Sequence, residues 1–294
     1  MMLARSNFGR VGGLGWQIFA QGNLWTGPLK EKVLALVLAQ TSARHPQTIE
    51  LRHPADGSEQ VFFLKVFHRT SPLAAFKDLF RTSRAFGSWR QGLALSAAGF
   101  NAPIPRVVGK QSGWRASRRE FTLTPRIDGL PLNEYCLRQC GGGAAPFGAK
   151  RMQIRQLARL IRRFHDAGFV HGDLVASNIL VNTTGATGPR FFFMDNDRTR
   201  RYPAWFCQSF WKRNLIQLNR LPLPGISLQD RMCFLQAYLG VKRLSRADRR
   251  LARWLEAKTR ERRRECDGAD PSESFRRLMR WSADVAPSNR SRIG

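Results

Sequence analysis

The chain has 294 residues, of which 43% are apolar and 24% charged, a balance close to the globular average that excludes a fibrous chain, a wholly disordered one and a small stapled scaffold. A surplus of 49 Lys and Arg over 21 Asp and Glu gives a formal net charge of +28, which calls for an anionic partner such as nucleic acid, an acidic membrane face or a phosphorylated substrate. The five cysteines have no CxxC spacing, so neither a disulfide framework nor a zinc site is indicated and reduced, intracellular thiols are expected.

In chain order, the segment behind Arg5 and Arg10 lacks the apolar core of an export signal. Gly12-Gly13-Leu14-Gly15 reads as a flexible loop, because no apolar strand precedes it. The apolar run 33–39 is far short of the roughly 20 residues that cross a bilayer, so any membrane contact is expected to be peripheral. Val33 to Leu38 is placed as a strand, with helix as the alternative. Thr48 to Arg52, the turn Pro54-Ala55-Asp56-Gly57 and Val61 to Phe67 predict a hairpin. Residues 73–98 predict a helix that Gly99 ends and that Pro103 and Pro105 keep from resuming. Phe121 to Ile127 is a short strand leading into Asp128-Gly129-Leu130-Pro131, where hairpins give way to helices. The domain boundary is placed there, with residues 1–127 as an N-terminal lobe and 128–294 as a helical lobe.

Beyond the boundary, Ile154, Leu157, Ile161 and Phe164 recur at helical spacing opposite Arg151, Arg155, Arg159 and Arg162, an amphipathic helix that Gly168 ends. Phe169-Val170 opens an extended piece. Ile179 to Val181 and Phe191 to Met194 predict a second hairpin, and the pattern from 205 onward is mainly helical. Tyr202, Trp205, Phe206, Phe210 and Trp211 interleave with Arg and Lys, which suits core packing with a basic rim somewhat better than a glycolipid contact.

The chemistry concentrates around the second hairpin, in His171-Gly172-Asp173 followed by Asn178 and, after Phe191-Phe192-Phe193-Met194, by Asp195. Phosphoryl transfer needs a carboxylate to orient the acceptor hydroxyl and oxygen ligands to hold Mg²⁺ on the nucleotide phosphates. Asp173 supplies the first, and Asn178 and Asp195 the second. Lys65 interrupts an apolar strand in which an unpaired ammonium is costly to bury, so an anion is expected to meet it, and phosphate oxygens fit that need. His171 reads as a brace for the loop rather than a base. Asp197, two residues after Asp195, suits a metal contact or a salt bridge to an arginine equally well.

The set Lys65, His171-Gly172-Asp173, Asn178 and Asp195-Asn196-Asp197-Arg198 resembles the lipopolysaccharide core kinases, the Kdo and heptose kinase family, a branch of the protein-kinase-like fold. The likeness spans about residues 30–245 and takes in Ser83-Arg84-Ala85, Trp89, Ile127-Asp128-Gly129, Phe164-His165-Asp166-Ala167-Gly168 and Asp230-Arg231. It implies an α+β, bilobal fold with a small antiparallel-sheet N-lobe and a mainly helical C-lobe. It also implies ATP between the lobes with Lys65 on its phosphates, Asp173 as catalytic residue, Asn178 and Asp195 on Mg²⁺, and a sugar of the lipopolysaccharide inner core as acceptor. The protein would then work in the cytoplasm, peripherally on the inner membrane. Nucleic acid has only the charge in its favour, since no nucleic-acid motif accompanies it.

Three features depart from the family. No acidic residue occurs from Leu79 through Arg119, and Ser88 stands where the family's helix glutamate falls, so Lys65 lacks its usual partner and Asp78 is the nearest substitute. Val175 replaces a lysine often found two residues after the catalytic Asp. The turn Thr41-Ser42-Ala43-Arg44-His45-Pro46 contains no glycine. The missing glutamate and the unusual turn motivate an alternative of another class, a pseudokinase or regulatory binding module of the same fold.

Overall fold

The computed structural model describes residues 8–10, 15–40, 47–55, 58–68, 83–112, 119–141, 147–185, 188–203, 208–220 and 225–268. The chain divides into two compact units, Met1–Asp128 with Phe192–Thr199, and Gly129–Phe191 with Arg200–Gly294. Asp56, Gly57, Asp78, the glycine run 12–14 and the turn 41–46 lie outside the described residues.

The first unit is a six-stranded antiparallel sheet. Its strands are β1 (Phe8–Arg10), β2 (Trp16–Gln21), β3 (Gln47–Ala55), β4 (Ser58–His68), β5 (Val107–Gln111) and β6 (Arg119–Pro125), in the order β1-β2-β5-β6-β4-β3. The β3–β4 pair is the predicted hairpin, with Thr48 opposite Lys65 and Arg52 opposite Val61. Alternation along β4 sends Phe62, Leu64 and Val66 into the core and leaves Phe63 and Lys65 on the other face.

Residues 33–38 are helix, not strand: α1 spans Gly27–Ala39. Pro28 at its start is preset for helical φ, and Leu29, Val33 and Val37, spaced by four, bury one stripe among Ile18, Leu51, Leu64 and Leu123. A strand would have turned Leu34 and Leu36 away from Val33 and Val37 and split that stripe. On the opposite sheet face lies α2 (Arg84–Ala97), the described part of the predicted 73–98 helix. Its Ala85, Phe86 and Trp89 pack with Phe67, Val108 and Phe19. Gly99 then adopts φ +78°, the left-handed conformation expected of a helix stop.

The second unit is mainly helical, with α3 (Leu132–Gly141), α4 (Phe147–Asp166), α5 (Gln208–Leu218), α6 (Leu228–Leu239) and α7 (Arg246–Gly268). Its strands are short: β7 (Leu130–Pro131), β8 (Phe169–Val170), β9 (Ile179–Asn182), β10 (Arg190–Phe193) and β11 (Arg200–Arg201). β9 lies between β10 and β7, and β8 pairs with β11. α4 is the predicted amphipathic helix. Leu157, Ala158, Ile161 and Phe164 are buried, and α4 packs along α6 while α5 packs on α7. Gly168 ends α4 at φ +84°, where a Cβ would stand 2.2 Å from the Tyr202 carbonyl oxygen, so only glycine fits. Of the aromatic cluster, Trp205 and Phe206 lie outside the described residues; the others are half-buried, with Tyr202 stacked on Phe210 at 5.0 Å, Trp211 5.7 Å from Tyr238, and Lys212 over Trp211.

Candidate active site

In the first unit, Lys65 projects from β4 and its ammonium donates a hydrogen bond to Asp195 Oδ1. The two residues are 130 positions apart, so the fold itself supplies the anion that the lysine needs. The aliphatic part of Lys65 is shielded, and its Nζ lies 5.3 Å from the centre of the Phe67 ring.

Asp195 is held in place by its backbone. It sits at φ +51°, the one positive φ of a non-glycine residue among the described residues, at the head of the short 3₁₀ turn Asn196–Arg198. Asn196 Nδ2 donates to Phe193 O at 2.6 Å, Thr199 N to Asn196 O at 3.1 Å, and Phe193 N to Asn101 O at 2.9 Å. Asp197 is buried and accepts from Arg84 Nε at 2.9 Å and from Arg84 Nη2. Of the two roles open to Asp197, the salt bridge is the one the structure contains. Arg84 also lies over Phe67, 5.0 Å from the ring centre.

Glu120, on β6, serves the start of α2. Its Oε2 accepts from Ser83 Oγ at 2.7 Å and from Ala85 N at 3.2 Å, a negative charge where the exposed N–H groups and helix dipole favour one.

In the second unit, the loop 171–178 follows β8 and is pinned by buried Leu174, Val175, Ala176 and Ile179. His171 is 1% exposed, and its Nδ1 accepts from the Asp173 backbone N–H at 3.1 Å. That is the bracing geometry expected of His171. Asp173 itself is exposed. Asn178 Nδ2 donates to the Asp173 carbonyl at 2.9 Å, which leaves the amide oxygen of Asn178 as an acceptor for a cation.

Two residues of α5, absent from the sequence-based candidates, hold this loop. Asn214 accepts from His171 N at 2.9 Å through Oδ1 and donates to His171 O at 2.7 Å through Nδ2. Gln217 Oε1 accepts from Leu174 N at 3.3 Å, while its Nε2 donates to Gly172 O at 3.3 Å and to Asp173 Oδ1 at 3.4 Å. Beneath them, His165 Nε2 donates to Asn214 Oδ1 at 3.2 Å and its Nδ1 accepts from Tyr238 Oη at 2.9 Å. Burial pushes the His165 imidazole down to about 4 and the Tyr238 phenol well above its usual range, so both are neutral at physiological pH.

Thus the first unit joins Lys65 to Asp195, and the second joins Asp173 to Asn178. Sequence reasoning missed Arg84 as a partner, Glu120, Asn214 and Gln217. An amide on an amphipathic helix carries no signal that separates it from a solvated side chain; only the backbone it reaches does.

The second unit also encloses a cavity of about 480 Å³ with mostly apolar walls, including Tyr135, Ile154, Leu157, Leu235 and Leu255. Lys150 and Asp230 line it as an ion pair. Burial raises the Asp230 carboxyl, but hydrogen bonds from Lys150 and Ser227 outweigh this and hold it below the usual carboxylate range. No helix among the described residues is long and apolar enough to cross a membrane.

A solved structure described as WaaP in complex with acyl carrier protein is similar over 80% of this chain and 96% of its own, with 20% identity and a TM-score of 0.56, a likeness of fold. Two forms of the Mycobacterium tuberculosis PknI kinase domain stand further off: the C20A mutant at 15% identity, covering 80% of this chain and 79% of its own (TM-score 0.36), and the C20A_R136A double mutant at 16%, covering 70% and 73% (TM-score 0.35). No curated protein matches this sequence. The family model described as lipopolysaccharide kinase (Kdo/WaaP) matches residues 68–238, a span that holds Asp173, Asn178 and Asp195 and begins just after Lys65. Since that match takes in more than half of the residues, the chain belongs to the lipopolysaccharide kinase (Kdo/WaaP) family and has an α+β, kinase-like fold.

Proposed function

We propose that this chain moves the γ-phosphoryl group of ATP to a hydroxyl of a heptose or Kdo in the lipopolysaccharide inner core, at the cytoplasmic face of the inner membrane. The Lys65–Asp195 ion pair carries the reading. The family resemblance implies that both residues serve the nucleotide end of a kinase site, and the fold brings them together across 130 positions of sequence.

The residues fit Mg²⁺. Asp195 already faces a cation, and the Asn178 amide is oriented with its nitrogen toward Asp173 O. Among the described residues no three His, Cys, Asp or Glu side chains gather as a metal site of their own, which suits an ion bound by one or two protein oxygens plus substrate phosphates. When bound, the metal neutralises charge on the phosphates and the transferring group. Lys65 would bind phosphate oxygens. Asp173 would orient the sugar hydroxyl and take its proton as the new O–P bond forms and the bond to the β-phosphate oxygen breaks, the electron pair leaving with ADP.

The acceptor and the membrane face are supported by charge. Residues 242–264 alone carry 11 Lys and Arg against 3 Asp and Glu, and most of those described are exposed on α7. Each basic residue near an anionic lipid surface contributes about 1 kcal/mol. The WaaP structure contains acyl carrier protein. We extend such a partner to this chain, whose apolar cavity suits a hydrocarbon chain.

Labelled ATP and purified core acceptor test the reading. Asp173→Asn and Asp195→Asn should each lower transfer by roughly 10²–10⁴-fold, and mass spectrometry of the product identifies the sugar that gained phosphate. Full transfer by both variants would refute the mechanism. Failure to bind ATP with Mg²⁺ would instead favour the binding-module alternative.

A further inference from the structure

The kinase fold ordinarily ties the strand lysine to a glutamate on the neighbouring helix, and that tie sets helix, lysine and metal-binding Asp in register. Here the helix cannot supply it, because no acidic residue occurs from Leu79 through Arg119. The nearest acid beyond that stretch, Glu120, is engaged with Ser83 and Ala85 at the start of α2. The polarity is reversed instead. α2 offers a cation, Arg84, and the turn after Asp195 offers a carboxylate, Asp197.

We infer that Arg84 is a positioning residue for the metal-binding Asp195, acting through Asp197; this rests on the function proposed above. The carboxylate of Asp197 is 3% exposed on its side chain, and a buried carboxylate without a cation is costly, so Asp197 stays where Arg84 can reach it. Arg84 is itself fixed from three directions. It starts α2 directly after the Ser83 cap, it lies 5.0 Å from the Phe67 ring centre, and it bonds Asp197 Oδ2 through both Nε and Nη2. The α2 backbone approaches the same turn, since a Cβ on Gly87 would lie 3.5 Å from Asp197 O. Only Asn196 separates Asp197 from Asp195, at the head of a tight 3₁₀ turn, so fixing one carboxylate fixes the direction of the other. Phe67 receives Lys65 and Arg84 alike. The two cations therefore share one ring and grip the two carboxylates of one turn.

Calorimetric titration with ADP, with and without Mg²⁺, tests the assignment alongside hydrogen exchange at residues 194–199 in the nucleotide-free protein. Arg84→Gln should weaken Mg²⁺–ADP binding tenfold or more, leave ADP binding without Mg²⁺ within twofold, and speed exchange in the turn. The double variant Arg84→Gln/Asp197→Asn, which removes the buried charge together with its partner, should recover most of the Mg²⁺-dependent affinity. Equal losses with and without Mg²⁺, unchanged Mg²⁺–ADP affinity in Arg84→Gln, or no recovery in the double variant would overturn the inference. Should Arg84→Gln not fold, Arg84→Lys keeps the charge without the two-pronged grip and should lose Mg²⁺–ADP affinity selectively; an even loss overturns it. If the unaltered protein binds no Mg²⁺–ADP, the kinase reading fails by itself. The exchange arm then decides the clasp alone, and unchanged protection in the variant removes it.

Discussion

Two loops carry the candidate residues, and they are secured by different physics. At 195–199, Lys65 meets Asp195 and Arg84 meets Asp197, cation to carboxylate. At 171–178, neutral amides do the work: Asn214 and Gln217 hold the backbone of His171, Gly172 and Leu174, with a neutral His165 below. A partly exposed ion pair such as Lys65–Asp195 is worth about 1 kcal/mol or less, so in the proposed site the exchange of its ammonium for a metal would cost little. The buried amide of Asn214 is the opposite, since each bond it loses strands a desolvated group at about 1–3 kcal/mol. At 195–199 the Lys65–Asp195 contact is thus exchangeable while Arg84 holds the turn through Asp197, and at 171–178 the loop is held throughout by neutral amides.

The largest effect should follow from breaking the neutral network. Asn214→Leu removes the two buried hydrogen bonds from its amide to the His171 N–H and C=O, a loss of about 2–6 kcal/mol at about 1–3 kcal/mol for each. Tm should fall on the order of 10 °C, read by calorimetry. A fall no larger than that of an exposed-site substitution would mean that the loop does not depend on α5.

Acid should act on the same network. The folded-state pKa of His165 is about 4 against 6.5 unfolded, so the unfolded chain binds more protons in that interval and stability rises with pH there. The contribution is complete above about pH 6.5 and is lost as pH falls toward 4, about 3 kcal/mol in all. His68, whose imidazole burial and then Arg119 push below its ordinary value, adds in the same direction from the first unit. Urea midpoints between pH 7 and pH 4.5 measure the slope, and His165→Gln should flatten much of it.

A smaller effect isolates the point where the neutral loop meets chemistry. Gln217→Glu turns two donated bonds, to Gly172 O and Asp173 Oδ1, into oxygen–oxygen repulsion. The value of kcat should fall about tenfold, the cost of roughly one hydrogen bond to a charged group, with the nucleotide KM unchanged.

What the sequence reveals divides along the same line. The β3–β4 hairpin and α4 with its Gly168 stop are legible because periodicity is a local property, and residue type alone singles out Lys65, Asp173, Asn178 and Asp195 as candidates. α1 lends itself to a strand reading, since a run of six aliphatic residues fits either element until Leu29 and Pro28 are counted with it. Arg84, Glu120, Asn214 and Gln217 were not legible as partners. In this strongly basic chain Arg84 looks like its neighbours, and what sets it apart is Asp197, which lies 113 positions away.

The smallest stability change sharpens the contrast from the charged side. Lys65→Met removes an ammonium whose carboxylate partner is 42% exposed on its side chain, so water can solvate Asp195 once the lysine is gone. Folding stability should move by less than about 1 kcal/mol, and the methionine keeps the apolar packing of the stem beside Phe67. Nucleotide binding should nonetheless fall steeply, because a phosphate loses a fixed cation in a partly shielded place. The outcome to look for is a Tm close to that of the unaltered protein together with loss of the thermal shift that ATP and Mg²⁺ produce. A Tm drop as large as that of Asn214→Leu would show that Lys65 holds the turn structurally, and the distinction between an exchangeable ion pair and a fixed amide network would fall.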